Sequence, residues 1–323
     1  MSHQEDPPPS DGATIMDDLV MREVLADVDT TKIRVFLFND SIRLNVVKYV
    51  NQRKVFVEYV NQGEDYCTVE WRKFTENSER STKKLEYHQK FLDVFFNDFP
   101  MILQIIKPNL RELDVLIDPG HDVRPTKIPM LQLFENYQKI MDFFDGHPLT
   151  IEKLKITVLG NSQISQILSK IETEELSIDP IFGGAESLDF EEIAKSGNWK
   201  CIKNLSVRGF IVTQPVTFID KTTLSMTIDD ISPEDVRTIV ETFRNNPSME
   251  KWVLFFFDKD HSDVMDLLVR ELGRTSQKDE WYFTVPESQK FLHVSFWLSG
   301  QLIFHNRNKD EADKDEDDEV FYF

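Results

Sequence analysis

The sequence predicts an α/β chain: a short helical segment near the amino end, then an irregular, leucine-rich-repeat-like α/β solenoid. Three observations predict it. Short runs such as Thr223-Leu-Ser-Met-Thr-Ile228 alternate polar and apolar residues with the period of half-buried strands. Between such runs lie stripes at i, i+3, i+4 and i+7, the period of a helix with one buried face. The pattern Leu-x-apolar then returns at Leu113/Val115, Leu154/Ile156, Leu176/Ile178, Leu205/Val207 and Leu224/Met226. Most of these intervals fall near the ~20–29 residues of a leucine-rich repeat, although its Asn ladder is absent. A doubly wound α/β sheet is the rival, and the glycine-rich phosphate fingerprints common in that class do not occur.

Taken in order, residues 1–14 are acidic and Pro-rich and read as a disordered leader. Residues 15–52 read as two or three short helices, the first carried by Met21, Val24, Leu25 and Val28, the next by Ile33, Phe36, Leu37, Leu44 and Val47. Residues 53–307 form the α/β domain. It opens on a hairpin, Val55–Val60 and Tyr66–Trp71, and continues with a helix over about Lys83–Phe99 before the strand Leu110–Ile117. Helices over Pro129–Phe144 and Ser162–Ile171 precede the strands at Leu154–Val158 and Glu175–Ile178, and a weaker one near Phe190 precedes Leu205–Val207. The clearest segment is strand Thr223–Ile228, then Ser232-Pro-Glu-Asp235 opening a helix with a stripe at Val236, Ile239, Val240 and Phe243, then strand Trp252–Phe257. Ser232 is placed to cap, Pro233 suits the first helical position, and Asp235 completes a capping box. A helix at Val264–Leu272 and strands at Glu280–Val285, Phe291–Trp297 and Gln301–Phe304 close the domain, the last two joined at Ser299-Gly300. Residues 308–323 read as an acidic disordered tail ending in Phe321-Tyr-Phe323.

Composition narrows the function classes. A chain of 323 residues with 40% hydrophobic content and 25 Phe can bury a large core in one or two domains. Its net charge of -20 argues against binding nucleic-acid phosphates or an anionic membrane surface. No signal pattern or apolar run of ~20 residues occurs, so the expectation is a soluble protein of cytoplasm or nucleus. Cys67 and Cys201 each sit in a strand-like run; reduced thiols are the simpler reading, with a disulfide left open.

Local chemistry is sparse. The His residues are scattered, none with i, i+4 zinc spacing, and no G-x-S-x-G nucleophile elbow occurs. Asp258-Lys-Asp-His-Ser-Asp263 has the look of a metal or phosphatase loop, but a capped helix start explains it better. Asp118-Pro-Gly-His-Asp122 is ordinary turn chemistry. The expectation is a protein with no enzymatic activity, no catalytic residues, no metal and no cofactor.

Asn198-Trp199-Lys200-x-Ile202-Lys203-Asn204-Leu205, the Phe218–Ile228 region and Ile231-Ser-Pro-Glu-Asp-Val236 with Phe243 resemble the FTH domain of the nematode F-box family. Leu154–Ile178 resembles the opening part of that domain, so the likeness covers about residues 90–260. In that family the domain is a protein-interaction module behind an amino-terminal F-box, which recruits the Skp adaptor of a cullin ubiquitin ligase. Residues 15–52 then resemble a degenerate F-box: Leu19, Met21, Val24, Leu25 and Val28 its first apolar helix, Ile33, Phe36 and Leu37 its second. No Pro precedes the first helix, and Phe36-Leu-Phe-Asn-Asp40 replaces the usual basic run. The resemblance implies a substrate-recognition adaptor with those eight residues gripping the Skp adaptor, or a non-catalytic scaffold that has lost that contact. The target protein stays unnamed.

Overall fold

A computed structural model describes residues 31–38, 40–48, 54–75, 78–117, 127–181, 186–188, 190–257, 261–273, 279–297 and 299–308. The chain divides into two compact units, 1–151 and 152–323.

In the first unit, β1 (Thr31–Leu37), β2 (Ser41–Lys48), β3 (Lys54–Gly63), β4 (Tyr66–Thr75) and β5 (Ser78–Tyr87) form an antiparallel meander. β6 (Leu110–Ile117) pairs with β1 in parallel. Ile33, Val35 and Leu37 of β1 and Ile42, Leu44 and Val46 of β2 point to one face and are almost fully buried. Helix α1 (Phe91–Ile106) packs on that face, its Phe99 ring stacked over Phe95 and 5.1 Å from Phe143 of α2 (Lys127–Asp145). The other face of β1 and β6 carries charge in register: Lys32 reaches Glu112 at 3.0 Å and Asp114 at 2.9 Å, and Arg34 reaches Asp114 at 3.0 Å.

Where the segment expected to be helical over 15–52 is described, over 31–38 and 40–48, these strands overturn it; residues 15–30 lie outside the described residues. Ile33, Phe36, Leu37 and Leu44 fit a helical stripe, yet Ile33, Val35, Leu37 and Ile42, Leu44, Val46 also fit period two. The tie is broken by β6, whose partner residues lie 80 positions further along the chain. The helix expected over Lys83–Phe99 is likewise split. Ser78–Tyr87 adds an edge strand rich in charge, and the helix starts only at Phe91.

Under this sheet Tyr59 donates to Asp98 Oδ2 at 2.9 Å, and Cys67 is buried beside them. Burial, with the Asp98 carboxylate adding to it, pushes the Cys67 thiol up from 9.0 to about 11. A group raised on folding contributes stability that is whole below its unfolded value and lost as pH climbs through the folded one. The thermal midpoint is therefore expected to fall between pH 9.0 and about 11, and Cys67→Ala to flatten part of that slope in a pH series of unfolding scans.

In the second unit β7 (Leu149–Val158), which straddles the division, pairs with β8 (Ile171–Pro180). β10 (Asn204–Val212), β11 (Thr223–Ile228) and β12 (Lys251–Phe256) follow β8 as parallel neighbours, and the two-residue β9 (Glu186–Ser187) pairs with β10. The sheet then turns antiparallel through β15 (Gln301–Asn308), β14 (Lys290–Trp297) and β13 (Glu280–Thr284). Helices α3 (Asn161–Leu168), α4 (Phe190–Ile193), α5 (Pro233–Asn245) and α6 (His261–Leu272) complete it.

The expected solenoid is corrected as well: the architecture is mixed α/β with the sheet dominant. The Leu-x-apolar runs are parallel strands in register, but their connections are unlike one another. β8 to β10 passes through β9, α4 and a 3₁₀ turn; β10 to β11 passes through a 3₁₀ turn alone; β11 to β12 passes through α5. Repeat units that stack need alike connections, and antiparallel strands make up much of both units.

The capped segment forms as its sequence predicts. Ser232 Oγ accepts from the Asp235 amide at 3.1 Å while Asp235 returns a bond to the Ser232 amide at 2.9 Å. Ser232→Ala is expected to cost about 1 kcal/mol in urea denaturation, the usual loss of a helix cap.

Candidate functional site

The second unit's strands have two unlike faces. On the helix side the register aligns Leu176, Leu205, Leu224, Trp252 and Phe304, and then Ile178, Val207, Met226, Leu254 and Leu302, all at most 2% exposed. Val236, Ile239, Val240 and Phe243 of α5 cover part of this face. The opposite side of β8, β10, β11 and β12 is only half-buried, with no described helix over it.

That open face is built of two rows that cross seven strands. One runs Glu175, Asn204, Thr223, Lys251, His305, His293 and Tyr282; the next runs Ser177, Ser206, Ser225, Val253, Ile303, Ser295 and Glu280. The short Ser and Thr side chains leave a shallow depression of about 300 Å³ between Glu175 and Lys251. Thr223 Oγ1 donates to Asn204 Oδ1 at 2.8 Å across it.

Charge is unevenly placed along these rows. At the β7–β8 end it is neutralised, with Lys153 at 3.0 Å from Glu175 and Lys155 at 2.9 Å from Asp179. From β10 to β15 the described strands carry Arg208, Lys251, His305 and Arg307 on this side and no carboxylate. Lys251 makes no ion pair with another described residue. Arg307 Nε donates to His305 Nδ1 at 3.0 Å.

The far end is aromatic. Tyr282, 60% exposed, stacks on His293 with ring centres 4.8 Å apart, and its hydroxyl donates to Glu280 at 2.8 Å. Trp297, 36% exposed, donates to Ser295 Oγ at 3.1 Å. Exposed Tyr and Trp together with Arg on one face are the residue mix that anchors protein interfaces.

Of the residues expected to meet the Skp adaptor, Leu19, Met21, Val24, Leu25 and Val28 lie outside the described residues. Ile33 and Leu37 are fully buried in β1, and Phe36 is half-buried on its other side. They share a strand, not a helix face. Asp258–Asp260, Asp118–Asp122 and the tail from residue 309 also lie outside the described residues. Cys67 and Cys201 are both free thiols.

The open face was missed in the sequence because its residues look like the solvent side of any amphipathic strand. One signal was legible: centring the last hairpin on Ser299 places His293 directly across from His305, the pairing that forms. Among the described residues no three His, Cys, Asp or Glu side chains converge as metal ligands. No described helix is long and apolar enough to cross a membrane.

A second hollow of about 520 Å³ lies where β10 ends, lined by Asn161, Ser187, Gln214, Thr217 and neighbours. Among the described residues its only ionisable lining group is Glu191.

No curated protein matches the chain. Residues 132–269, from within α2 to within α6 and including β8, β10, β11 and β12, match the family model of the FTH domain.

Proposed function

We propose that this protein is a protein-interaction adaptor that holds its partner on the open face of the second unit. The observation that carries the reading is that face: β8, β10, β11 and β12 present Ser, Thr, Asn and Lys side chains around a shallow depression, and the register continues to exposed Tyr282 and Trp297 on β13 and β14. The FTH match over 132–269 supports it, because that domain is associated with interaction roles in F-box proteins. The finer reading is substrate recognition for a Skp/cullin/F-box ubiquitin ligase of cytoplasm or nucleus, with Leu19, Met21, Val24, Leu25 and Val28 supplying the Skp contact. A non-enzymatic role, without metal or cofactor, belongs to the same reading.

A second reading, a scaffold without Skp coupling, is favoured by one observation: Ile33 and Leu37, two of the eight contact residues, are buried in a strand. Co-purification of the full-length protein with the Skp adaptor separates the two, a related F-box protein serving as positive control. Capture supports ligase coupling, and failure of a folded protein leaves the scaffold. The face itself is tested with Ser225→Arg, which puts a long side chain in the middle of the depression. Partners captured by the wild-type chain are expected to be lost from this variant; their retention would remove the open face from the proposal.

A further inference from the structure

We infer that β13, the strand that ends the open face, takes an extended peptide of the partner as an added antiparallel strand, and that this peptide alternates Arg with apolar residues. This rests on the adaptor reading and adds how the partner attaches and what chemistry it presents. Among the described residues β13 (Glu280–Thr284) pairs with β14 alone. The Phe296 amide donates to the Asp279 carbonyl at 3.1 Å, which makes 279/296 a bonded pair of the antiparallel ladder. Bonded and non-bonded pairs alternate, so Trp281 and Phe283 bond to β14, while the N–H and C=O of Glu280, Tyr282 and Thr284 point outward. The Thr284 carbonyl accepts from Arg244 Nε at 3.4 Å. Both groups of Glu280, both of Tyr282 and the Thr284 N–H have no partner among the described residues.

The sequence of β13 leaves that ladder open. Edge strands that must stay unpaired carry Lys, Pro or a bulge. β5, the edge of the first unit's meander, has Arg80, Lys83 and Lys84 in its sequence, and its pairing with β4 shifts register between Lys73 and Phe74. β13 reads Glu-Trp-Tyr-Phe-Thr, with no base, no proline and no register shift. It also lies beyond the matched residues 132–269, so the edge is no part of the family match.

The side chains of β13 specify the added strand. In an antiparallel pair, the residues bonded to Glu280, Tyr282 and Thr284 set their side chains beside them on the open face. Glu280 and its neighbour Asp279 are acids on a chain of net charge -20, so a cation suits the position opposite Glu280. The Glu280 carboxylate accepts the Tyr282 hydroxyl at 2.8 Å and keeps acceptor sites for that cation. The Tyr282 ring stacks through one face on His293 of β14, with centres 4.8 Å and planes 4° apart. Its other face therefore looks across the position of the added strand, where a guanidinium makes a cation–π contact. The alternate residues of the peptide fall on the helix side, next to buried Trp281 and half-buried Phe283, which apolar side chains suit.

The probe is a fluorescein-labelled nine-residue peptide alternating Arg with Val, read by fluorescence anisotropy on the full-length protein. It is expected to bind, and a peptide with Glu in place of Arg is not. Charge alone would also draw the Arg peptide to the acids between Lys309 and Glu319, so the deciding probes keep the charge. N-methylation of the Arg amides removes the donors that face β13 and is expected to weaken binding at least tenfold. N-methylation of the Val amides, which face away, should leave binding nearly unchanged. Tyr282→Pro removes one outward donor without touching the bonds to β14 and should also cost at least tenfold, with circular dichroism confirming the fold. Tyr282→Thr keeps that donor and loses the ring, for a loss of about two- to fivefold. An Arg peptide that does not bind would overturn the proposal, as would binding that survives either Arg N-methylation or Tyr282→Pro in a folded protein. Sedimentation of the protein alone reads a rival occupant: a dimer that Tyr282→Pro dissociates would put a second copy on β13 and overturn the peptide. Binding seen only after Phe321 and Phe323 are changed to Ser would make the chain's own end the occupant and likewise overturn it. Where the Arg peptide fails but Ser225→Arg still loses cellular partners, the adaptor reading stands without the added strand.

Discussion

Replacing Trp252 by Ala is expected to destabilise the second unit by about 3–5 kcal/mol, the range for deleting a large buried aromatic. Trp252 is completely buried at the middle of the helix-side face. Its ring meets Phe243 of α5 edge-on at 5.8 Å, and Phe243 in turn stacks on Phe304 at 5.9 Å. Its Nε1 donates to the Lys221 carbonyl at 3.1 Å. Lys221 is itself fully buried, with Nζ 2.8 Å from Asp220 and 4.6 Å from the centre of the Trp199 ring. Trp252 and Lys221 together thus tie β12 and α5 to the two 3₁₀ turns on either side of β10. A domain's whole margin is about 5–15 kcal/mol, so the loss is a large share of it.

The Phe variant decides which effect dominates. Trp252→Phe keeps most of the ring volume and removes the donor, which should cost about 1–3 kcal/mol for the carbonyl left without it. If packing dominates, the Ala variant falls well below the Phe variant in urea denaturation, with an unchanged dependence on urea. Equal losses would assign the effect to the hydrogen bond. A loss below about 1 kcal/mol for Ala would show that Trp252 is not the centre of this core.

What the sequence made legible was local. The Ser232 cap, Pro233 and the stripe from Val236 to Phe243 are set by neighbours within one helix, so the helix forms where the residues place it. The Ser299-Gly300 hairpin is equally local, with Gly300 at φ 74 supplying the turn. The stretch from Ile33 to Val46 was not legible, because its apolar residues satisfy both periods and the deciding partner, β6, is remote in sequence. The domain resemblance was carried by Trp199-Lys200, and Trp199 does pack in the second unit's interior, beside Phe190 and Phe218 at 5.9 and 6.0 Å. The open face was the least legible feature. Ser177, Ser206 and Ser225 lie in three separate strands, and nothing in any one strand indicates that they form a row. Register alone does, and register depends on the whole parallel set.

Gly209 is where that register changes, and Gly209→Ala is expected to be among the most damaging single-atom additions in the chain. Up to Val207, β10 pairs with β8; at Phe210 and Ile211 it pairs with β9 instead, and its register with β11 shifts between Val207 and Ile211. Pro180 ends β8 beside this point and cannot donate a ladder bond, so the strand must leave its neighbour there. Gly209 makes the step with φ 66, and a Cβ on it would stand 2.5 Å from Pro180 Cγ and 2.9 Å from Cδ. The left-handed backbone costs a residue with a side chain about 1–2 kcal/mol. Overpacking against a rigid ring adds roughly 1–3 kcal/mol, because proline cannot swing aside as a flexible side chain would. Pro180→Ala in the same chain separates the two: it should restore the part due to the clash and leave the part due to the backbone. Thermal unfolding of the two single variants and the double variant reads both parts. A Gly209→Ala protein as stable as wild type would mean that β10 can pass from β8 to β9 without this turn. The rows on the open face, which run through Asn204 and Ser206 ahead of it, would then not depend on the glycine for their alignment.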